Sequence, residues 1–173
     1  MNSDPANDYL VESLTKRHRR ESFSCGVEAL DRYFRQQIGQ DTRRRVARAF
    51  VLIHPQSDLI AGFYTLANGA IHLEELPPEL ANKLPRYPQI PATLIGRLAV
   101  DLKCRGLRLG EFLLLDALRR SLIGCEISAS FAVVVDAKDH AARGFYKKFG
   151  FVQLEGSERR LFLPMETIER LQI

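Results

Sequence analysis

The spacing of apolar residues changes near residue 46 and separates a helical part of the chain from an extended one. Upstream of that point, Val27, Leu30, Phe34 and Ile38 recur at intervals of three and four, so they share one face of a helix. Ser24 precedes this run and carries a hydroxyl that suits an N-cap. The pattern predicts a helix after Ser24 and then a short basic helix over residues 41–45.

From Val46 to Ile53 the pattern has a period of two, and most positions on both sides are apolar. The polar turn of residues 54–58 ends this run, and a second extended run covers residues 59–73. Two extended runs joined by a short turn are typical of an antiparallel hairpin. The proline-rich stretch of residues 74–91 follows, and we predict a loop there with one helical turn at residues 79–83.

The second half of the chain alternates between strands and helices. The segment of residues 131–135 contains no polar residue, which predicts a central strand that is buried on both faces. Gly150 is placed to end the last helix as its C′ residue. The predicted elements are strands at residues 93–100, 131–135, 151–154 and 160–163, and helices at residues 109–122 and 140–149. This order predicts an α/β fold with a mixed sheet and helices on both faces.

The composition is that of an ordinary globular domain, with 173 residues of which 46% are hydrophobic and 27% charged. We expect one domain over residues 1–173, with residues 1–13 as a loose N-terminal lead. No apolar stretch suits a membrane span, and the first residues lack the apolar region of a secretory signal. Cys25, Cys104 and Cys125 have no metal-ligand spacing, so we expect free thiols, no metal and a cytoplasmic location.

Two clusters of basic residues lie in the first third of the chain. Their members are Lys16, Arg17, His18, Arg19 and Arg20 in one cluster and Arg43, Arg44, Arg45 and Arg48 in the other. Such runs are often solvated helix faces, but two of them also suit a polyanionic partner such as RNA, because arginine binds phosphate well. Charge alone leaves both interpretations open.

A strand, a loop with glycines and a helix follow one another between residues 98 and 122. The apolar run of Leu98, Ala99 and Val100 leads into the basic loop that ends at Gly110. A helix N-terminus preceded by glycines offers backbone N–H groups and a positive dipole end to a pyrophosphate. The alternative is a plain connection in which the glycines are incidental.

Tyr146 is a candidate proton donor in the segment Phe145–Phe151. Read by itself, the residue favours the simpler interpretation of an aromatic side chain on a helix face between Phe145 and Phe149. Asp136 and Asp139 stand at a strand end and a helix start, which favours turn and cap roles over that of a general base.

The basic loop resembles the acetyl-CoA motif of the GNAT acetyltransferase superfamily, Q/R-x-x-G-x-G/A. Arg105 matches the first position and Gly110 the last, whereas Arg108 stands where the family has glycine. Nearly all of the chain after Ser22 resembles more narrowly the acetyltransferase toxins of toxin–antitoxin pairs, the branch that includes TacT and AtaT. The segments that carry this resemblance are Phe23–Gly26, Leu30–Tyr33, Thr42–Arg48, Gly62–Leu66, Leu84–Pro88, Arg97–Asp101, Val135–Lys138 and Phe145–Phe151.

The resemblance implies the GNAT fold and transfer of acetyl from acetyl-CoA to the α-amine of an aminoacyl-tRNA, which blocks translation. It implies Tyr146 as general acid and a backbone N–H between Leu98 and Val100 as donor to the thioester carbonyl. The residues implied in acetyl-CoA binding are Leu98, Ala99, Val100, Arg105, Gly106, Leu107, Arg108, Leu109, Gly110, Glu111 and Phe145. Those implied in tRNA binding are Arg43, Arg44, Arg45, Arg48 and Arg86, with Lys16, Arg17, Arg19 and Arg20 as a second group.

The same resemblance implies the partners. They are a second copy of the chain in a homodimer and a ribbon-helix-helix antitoxin whose tail covers the active site. Operator DNA is expected only through the complex with the antitoxin, and no membrane is expected. Two other functions stay open: acetylation of a protein N-terminus, a lysine or a small amine, and a non-enzymatic corepressor that binds DNA with its antitoxin.

Overall fold

The computed structural model describes residues 8–173 of the chain. Its contacts divide into two compact units, of which the first contains the chain up to Ala67 and Gly96–Ala117. The second contains Asn68–Ile95 and Leu118–Ile173. The prediction of a single domain stays a prediction. In the described residues, no helix is both long and apolar enough to cross a membrane.

Seven strands form one mixed sheet in the order β1-β2-β3-β4-β5-β7-β6. The strands are β1 Leu10–Ser13, β2 Arg48–Ile53, β3 Ile60–His72, β4 Gln89–Val100, β5 Ala132–Asp136, β6 Val152–Gln153 and β7 Arg160–Pro164. β4 and β5 are parallel, whereas the pairs β1–β2, β2–β3, β5–β7 and β6–β7 are antiparallel. The predicted hairpin and mixed sheet are therefore confirmed.

Six α-helices accompany the sheet in the described part of the chain, together with one π turn and two 3-10 turns. The helices are α1 Glu28–Arg32, α2 Ile38–Arg43, α3 Pro78–Ala81, α4 Leu109–Cys125, α5 His140–Lys148 and α6 Met165–Arg170. The π turn, Tyr33–Gln37, joins α1 to α2, and the 3-10 turns are Leu73–Glu75 and Leu102–Cys104.

Helices cover both faces of the strands in the first unit. On one face, the ring of Phe34 in the π turn stacks on Phe63 of β3 with centroids 4.3 Å apart. On the other face, the hydroxyl of Tyr64 donates to Asp116 of α4 at 2.6 Å. Gly62 allows close packing here, since a Cβ added to it would lie 2.7 Å from a methyl of Leu113. The prediction of helices on both faces is confirmed.

The second unit has its core around β5. Ala132–Val135 are all buried, as the purely apolar sequence of this strand predicts. One face of the strand packs in a cluster that includes Ile71, Leu76, Leu154 and Phe162.

Two predictions near the N-terminus are wrong. Residues 1–13 are not all a loose lead, because Leu10–Ser13 pair antiparallel with β2; residues 1–7 of that prediction lie outside the described residues. Four residues at a sheet edge give too short a pattern to be recognised. Ser24 is not the N-cap of α1, which follows Val27; its hydroxyl instead donates to buried Asp31 at 2.9 Å.

Two further differences concern β4 and the C-terminus. β4 begins at Gln89 instead of residue 93, and it includes Pro91. Proline is tolerated because the hydrogen bond made at this position uses its carbonyl and not an N–H. The carbonyl of Pro91 accepts from the N–H of Phe131 at 2.8 Å. The short helix α6 was not predicted, although Met165 and Ile168 on it are buried.

Gly150 ends α5 as predicted, in a left-handed conformation with φ of +91°. Its N–H donates to the carbonyl of Lys147 at 3.0 Å, and the N–H of Phe151 donates to the carbonyl of Tyr146 at 3.3 Å. This pair of bonds is a Schellman motif. The backbone of Tyr146 is therefore fixed by the helix end, four residues before the glycine.

Replacement of Gly150 should test this helix end. Gly150→Ala should lower the free energy of unfolding by about 1 kcal/mol, because alanine is strained at this φ. Gly144→Ala in the same helix is the matched control; an added Cβ meets nothing within 4 Å there. That control should raise the free energy of unfolding by up to about 1 kcal/mol. Urea denaturation measures both, and equal effects would contradict the assignment of Gly150.

Candidate active site

The loop before α4 presents a run of backbone N–H groups with no acceptor in the described part of the chain. They belong to the six consecutive residues 106–111. The first hydrogen bond of the helix runs from the N–H of Phe112 to the carbonyl of Arg108 at 3.2 Å. The amides of residues 109–111 are thus the free donors of a helix N-terminus, where the helix dipole also favours an anion.

Asp101 holds the start of this loop. It is buried, and its carboxylate accepts from the N–H of Ser24 at 3.0 Å and from the N–H of Lys103 at 2.9 Å. The N–H of Leu102 in turn donates to the carbonyl of Ser24 at 2.8 Å. These bonds tie the loop to the segment before α1, so the free amides have a fixed support.

Arg108 adopts the conformation that explains the glycine of the family motif. Its φ is +57°, in the left-handed region that glycine enters without strain. The backbone path therefore follows the motif although the residue does not. The guanidinium folds back on Glu111, with Nη2 at 2.9 Å from Oε1. Gly106 also has a positive φ, +83°, and an added Cβ would meet nothing within 4 Å.

The last residues of β4 supply a second set of candidate donors. The ladder with β5 ends where Ile95 lies opposite Val135, one residue before β5 itself ends at Asp136, whereas β4 continues to residue 100. Arg97 and Asp101 donate their N–H groups toward β3, at 3.2 and 2.8 Å.

Because N–H groups alternate between the two edges of a strand, those of Leu98 and Val100 point to the edge of β4 that faces away from β3, past the end of the ladder with β5. By the same alternation, the N–H of Ala99 faces β3. The roles predicted for Leu98, Ala99 and Val100 stay predictions.

Tyr146 is the other main candidate, and it lies in the second unit. The residue is 8% exposed, and its ring contacts Phe145 and Phe151 edge to face at 5.2 and 5.4 Å. Burial raises the pKa of Tyr146 to about 12. No described residue hydrogen-bonds its hydroxyl, and no buried side-chain oxygen or nitrogen lacks a partner. The hydroxyl oxygen therefore reaches the surface, protonated at neutral pH.

The acidic residues near Tyr146 have structural roles, as predicted. Asp139 caps α5, where its carboxylate accepts from the N–H of Ala142 at 2.8 Å. Asp136 is exposed and lies 3.9 Å from Arg160. His140 contacts the guanidinium of Arg143 at 2.7 Å. None of them hydrogen-bonds Tyr146.

The structure brings members of the two basic clusters together in the first unit. Lys16, Arg20 and Arg43 line one pocket. Arg20 donates to the carbonyl of Phe34 at 2.9 Å, and Arg17 pairs with Glu12, so these two have partners within the chain. The cluster residues that are exposed are Lys16, Arg17, Arg19, Arg43, Arg44, Arg45 and Arg48.

The remaining predicted arginine lies in the second unit. Arg86 is exposed and lines a different pocket together with His72 and Asn82.

Sequence reasoning missed one cation near the carboxyl end of β4. The guanidinium of Arg97 lies over the ring of Tyr33, 3.5 Å from its centroid. The sequence does contain a pattern that indicates this residue, since a single arginine interrupts the otherwise apolar run from Leu94 to Val100. None of the three cysteines forms a disulfide, and no group of three or more metal-ligating side chains is found in residues 8–173.

The sequence is similar to an acetyltransferase (GNAT) domain over residues 89–167. A tRNA-acetylating toxin of Mycobacterium tuberculosis is 34% identical over 130 residues, which is 75% of this chain and 76% of the relative. A probable toxin TacT of Sinorhizobium fredii is 28% identical over 171 residues, 94% of each chain.

Solved structures agree with this relationship. AtaT complexed with acetyl-methionyl-tRNAfMet matches with a TM-score of 0.89 and 28% identity, over 96% of this chain and all of that one. A tyrosine-to-phenylalanine mutant of AtaT, bound to acetyl-CoA and the C-terminus of the antitoxin AtaR, matches with a TM-score of 0.80 and 26% identity. That match covers 95% of this chain and 98% of the other.

A mixed sheet followed by an amide-lined loop and a helix, together with these matches, identifies a coenzyme A-dependent acyltransferase. The chain belongs to the GNAT acetyltransferase family, and the relatives it resembles there are toxins.

Substitutions at Arg108 should test the loop conformation. Arg108→Gly should have a free energy of unfolding about 1 kcal/mol above that of Arg108→Ala. Both variants lose the ion pair with Glu111, and only glycine is unstrained at this φ. At Arg119, exposed within α4, the order should reverse by about the same amount. Denaturant unfolding of the four variants measures this. Equal stability of the two Arg108 variants would contradict the left-handed assignment.

Proposed function

We propose that this protein is a toxin that transfers acetyl from acetyl-CoA to the α-amino group of aminoacyl-tRNA and so blocks translation. The observation that carries this proposal is the run of six unpaired amides at residues 106–111, in a chain whose relatives include a tRNA-acetylating toxin. The same run suits a pyrophosphate, since several N–H donors converge at a helix N-terminus without side chains in the way. Arg105 is exposed beside it and adds a positive charge.

The free amides of β4 are proposed to act on the thioester. When bound, acetyl-CoA supplies an activated acetyl group with a sulfur leaving group. The N–H of Leu98 or Val100 donates to the carbonyl oxygen and stabilises the negative charge that develops when the amine attacks. The C–N bond forms, the C–S bond breaks, and the amine loses one proton to solvent.

Tyr146 is proposed to give its proton to the departing sulfur. Its raised pKa keeps the phenol protonated at neutral pH, as a donor must be before the reaction. The hydroxyl has no partner within the described chain, so its proton is available. Phe145 and Phe151 pack against the ring and orient it.

The exposed arginines of the first unit are proposed to bind the tRNA. Arg43, Arg44 and Arg45 follow one another at the end of α2, and Arg48 begins β2. Arg45 is held with φ of +59°, in a tight turn where the N–H of Val46 donates to the carbonyl of Asp41 at 2.9 Å. Arg86 is a further contact, whereas Arg17 and Arg20 are less suited because each already has a partner.

We also propose the cellular setting from the resemblance. The protein acts in the cytoplasm, where charged tRNA is found, as a homodimer that a ribbon-helix-helix antitoxin neutralises. Operator DNA is bound only through that complex. The neighbouring AtaT structures, which include an antitoxin complex bound to DNA, support an antitoxin partner.

Labelled acetyl-CoA tests the substrate. Incubation with bulk charged tRNA should place label on the aminoacyl group, and mild alkali should release it as the N-acetyl amino acid. Label that appears only on protein or on small amines would contradict the proposal. A salt-sensitive DNA complex without any transfer would instead support a corepressor.

Tyr146→Phe should lower kcat on charged tRNA by about 100-fold or more, because the sulfur then leaves without a proton donor. The dissociation constant for acetyl-CoA should stay near that of the unchanged protein, and exposed Tyr87→Phe is the matched control. In the unchanged protein, kcat/KM should rise with pH as the amine loses its proton and then stay level to about pH 10, since the pKa of Tyr146 lies near 12. An alkaline fall that begins near pH 8 would argue against Tyr146 as the acid.

A further inference from the structure

Arg97 is a partly buried cation without a carboxylate partner in the described residues. It is the only charged residue of β4, and its backbone N–H donates to the hydroxyl of Thr65 on β3 at 3.2 Å. No Asp or Glu of residues 8–173 lies within ion-pair distance of its guanidinium. A cation in such a position is costly to desolvate unless another group stabilises it.

The ring of Tyr33 supplies that stabilisation. The guanidinium carbon of Arg97 lies 3.5 Å from the ring centroid, which is the geometry of a cation–π contact. Tyr33 is itself buried in the π turn between α1 and α2. Its face supports the guanidinium, which has five N–H donors, more than its contact with Tyr33 uses.

Asp41 fixes the tyrosine and connects it to the basic turn. Its carboxylate accepts from the hydroxyl of Tyr33 and from the side-chain amide of Gln37, both at 2.9 Å. Its backbone carbonyl accepts from the N–H of Val46 at 2.9 Å and so closes the turn that carries Arg43–Arg45. Burial is the largest cause that raises the pKa of Tyr33 to about 12, and the hydrogen bond from its hydroxyl to Asp41 is the next. The phenol therefore donates at every physiological pH.

We infer that Arg97 binds a backbone phosphate at the 3′ end of the charged tRNA, with Tyr33 and Asp41 as its positioning residues. This inference rests on the proposed function. Arg97 directly precedes Leu98, whose amide is a proposed donor to the thioester carbonyl. The phosphate nearest to the reacting amine, that of the terminal nucleotide, is therefore the one it would hold. Arginine suits this task because its planar fork binds phosphate oxygens in pairs.

The test compares two substrates that share the reacting amine. One is charged tRNA and the other is the same amino acid esterified to adenosine, which has no phosphate. Arg97→Gln should raise KM for charged tRNA by about tenfold, as expected for a lost charge-assisted phosphate contact. It should leave kcat/KM for aminoacyl-adenosine and the dissociation constant for acetyl-CoA nearly unchanged. Arg119→Gln, on the exposed side of α4, is the matched control.

Salt dependence gives a readout that a purely structural role would not move. A plot of the logarithm of 1/KM for charged tRNA against the logarithm of salt concentration should be less steep by about 0.7 in Arg97→Gln, the value for one lost phosphate contact on a single strand. Arg97→Lys should recover most of the slope but not all of the affinity.

The tyrosine variants separate the ring from the hydroxyl. Tyr33→Phe keeps the ring and should keep most of the affinity for charged tRNA, whereas Tyr33→Leu should resemble Arg97→Gln on that substrate. If Tyr33→Leu misfolds, it loses both substrates, and the Arg97 variants decide the matter.

An unchanged salt slope in Arg97→Gln would overturn the inference, and so would an equal loss on both substrates. If either result is obtained while the unchanged protein labels both aminoacyl-adenosine and charged tRNA, only the inference about Arg97 has failed. If it labels neither, the proposed function has failed and the inference falls with it.

Discussion

Backbone hydrogen bonds that the chain does not make within itself determine what this protein can bind. Backbone N–H groups without a partner in the chain must be met by water or by a ligand, and six consecutive residues, 106–111, carry such groups in the described chain. A second set, the amides of Leu98 and Val100, points away from β3 beyond the last residue pair of the ladder between β4 and β5. Both sets arise from chain path and not from side-chain chemistry. Buried Asp101 holds that path where the strand becomes the loop.

This dependence on the backbone explains why the loop accepts an arginine in place of the motif glycine. What the site requires is the left-handed conformation at position 108, because it directs the following amides. Glycine provides this conformation without strain, whereas Arg108 needs support from its surroundings. The contact with Glu111 is exposed and stabilises little by itself. The support therefore comes mainly from the loop anchors before residue 106 and from the buried start of α4 at Leu109.

The sequence predicted the parts of the fold that have a strong local pattern. β5 was found because residues 131–135 are all apolar, and the end of α5 because Gly150 follows an amphipathic helix. β1 was missed because four residues at an edge depend on their pairing with β2. Arg97 was overlooked as a site residue because its role depends on a ring 64 positions earlier in the chain, which no local pattern connects to it.

Two chemically different polyanions call for two kinds of donor, and the first unit has both. The pyrophosphate of a nucleotide is small and of fixed shape, so rigid uncharged amides can match it with little loss of entropy. The proposed tRNA substrate is large and must be released after each turnover, which suits the long charged side chains proposed to bind it, such as those of Arg43–Arg45. In its inferred role, Arg97 would combine the two: its charge would attract phosphate, whereas the ring of Tyr33 removes the freedom that an exposed arginine keeps. Such a restrained cation belongs next to the reacting group, where position matters more than overall affinity.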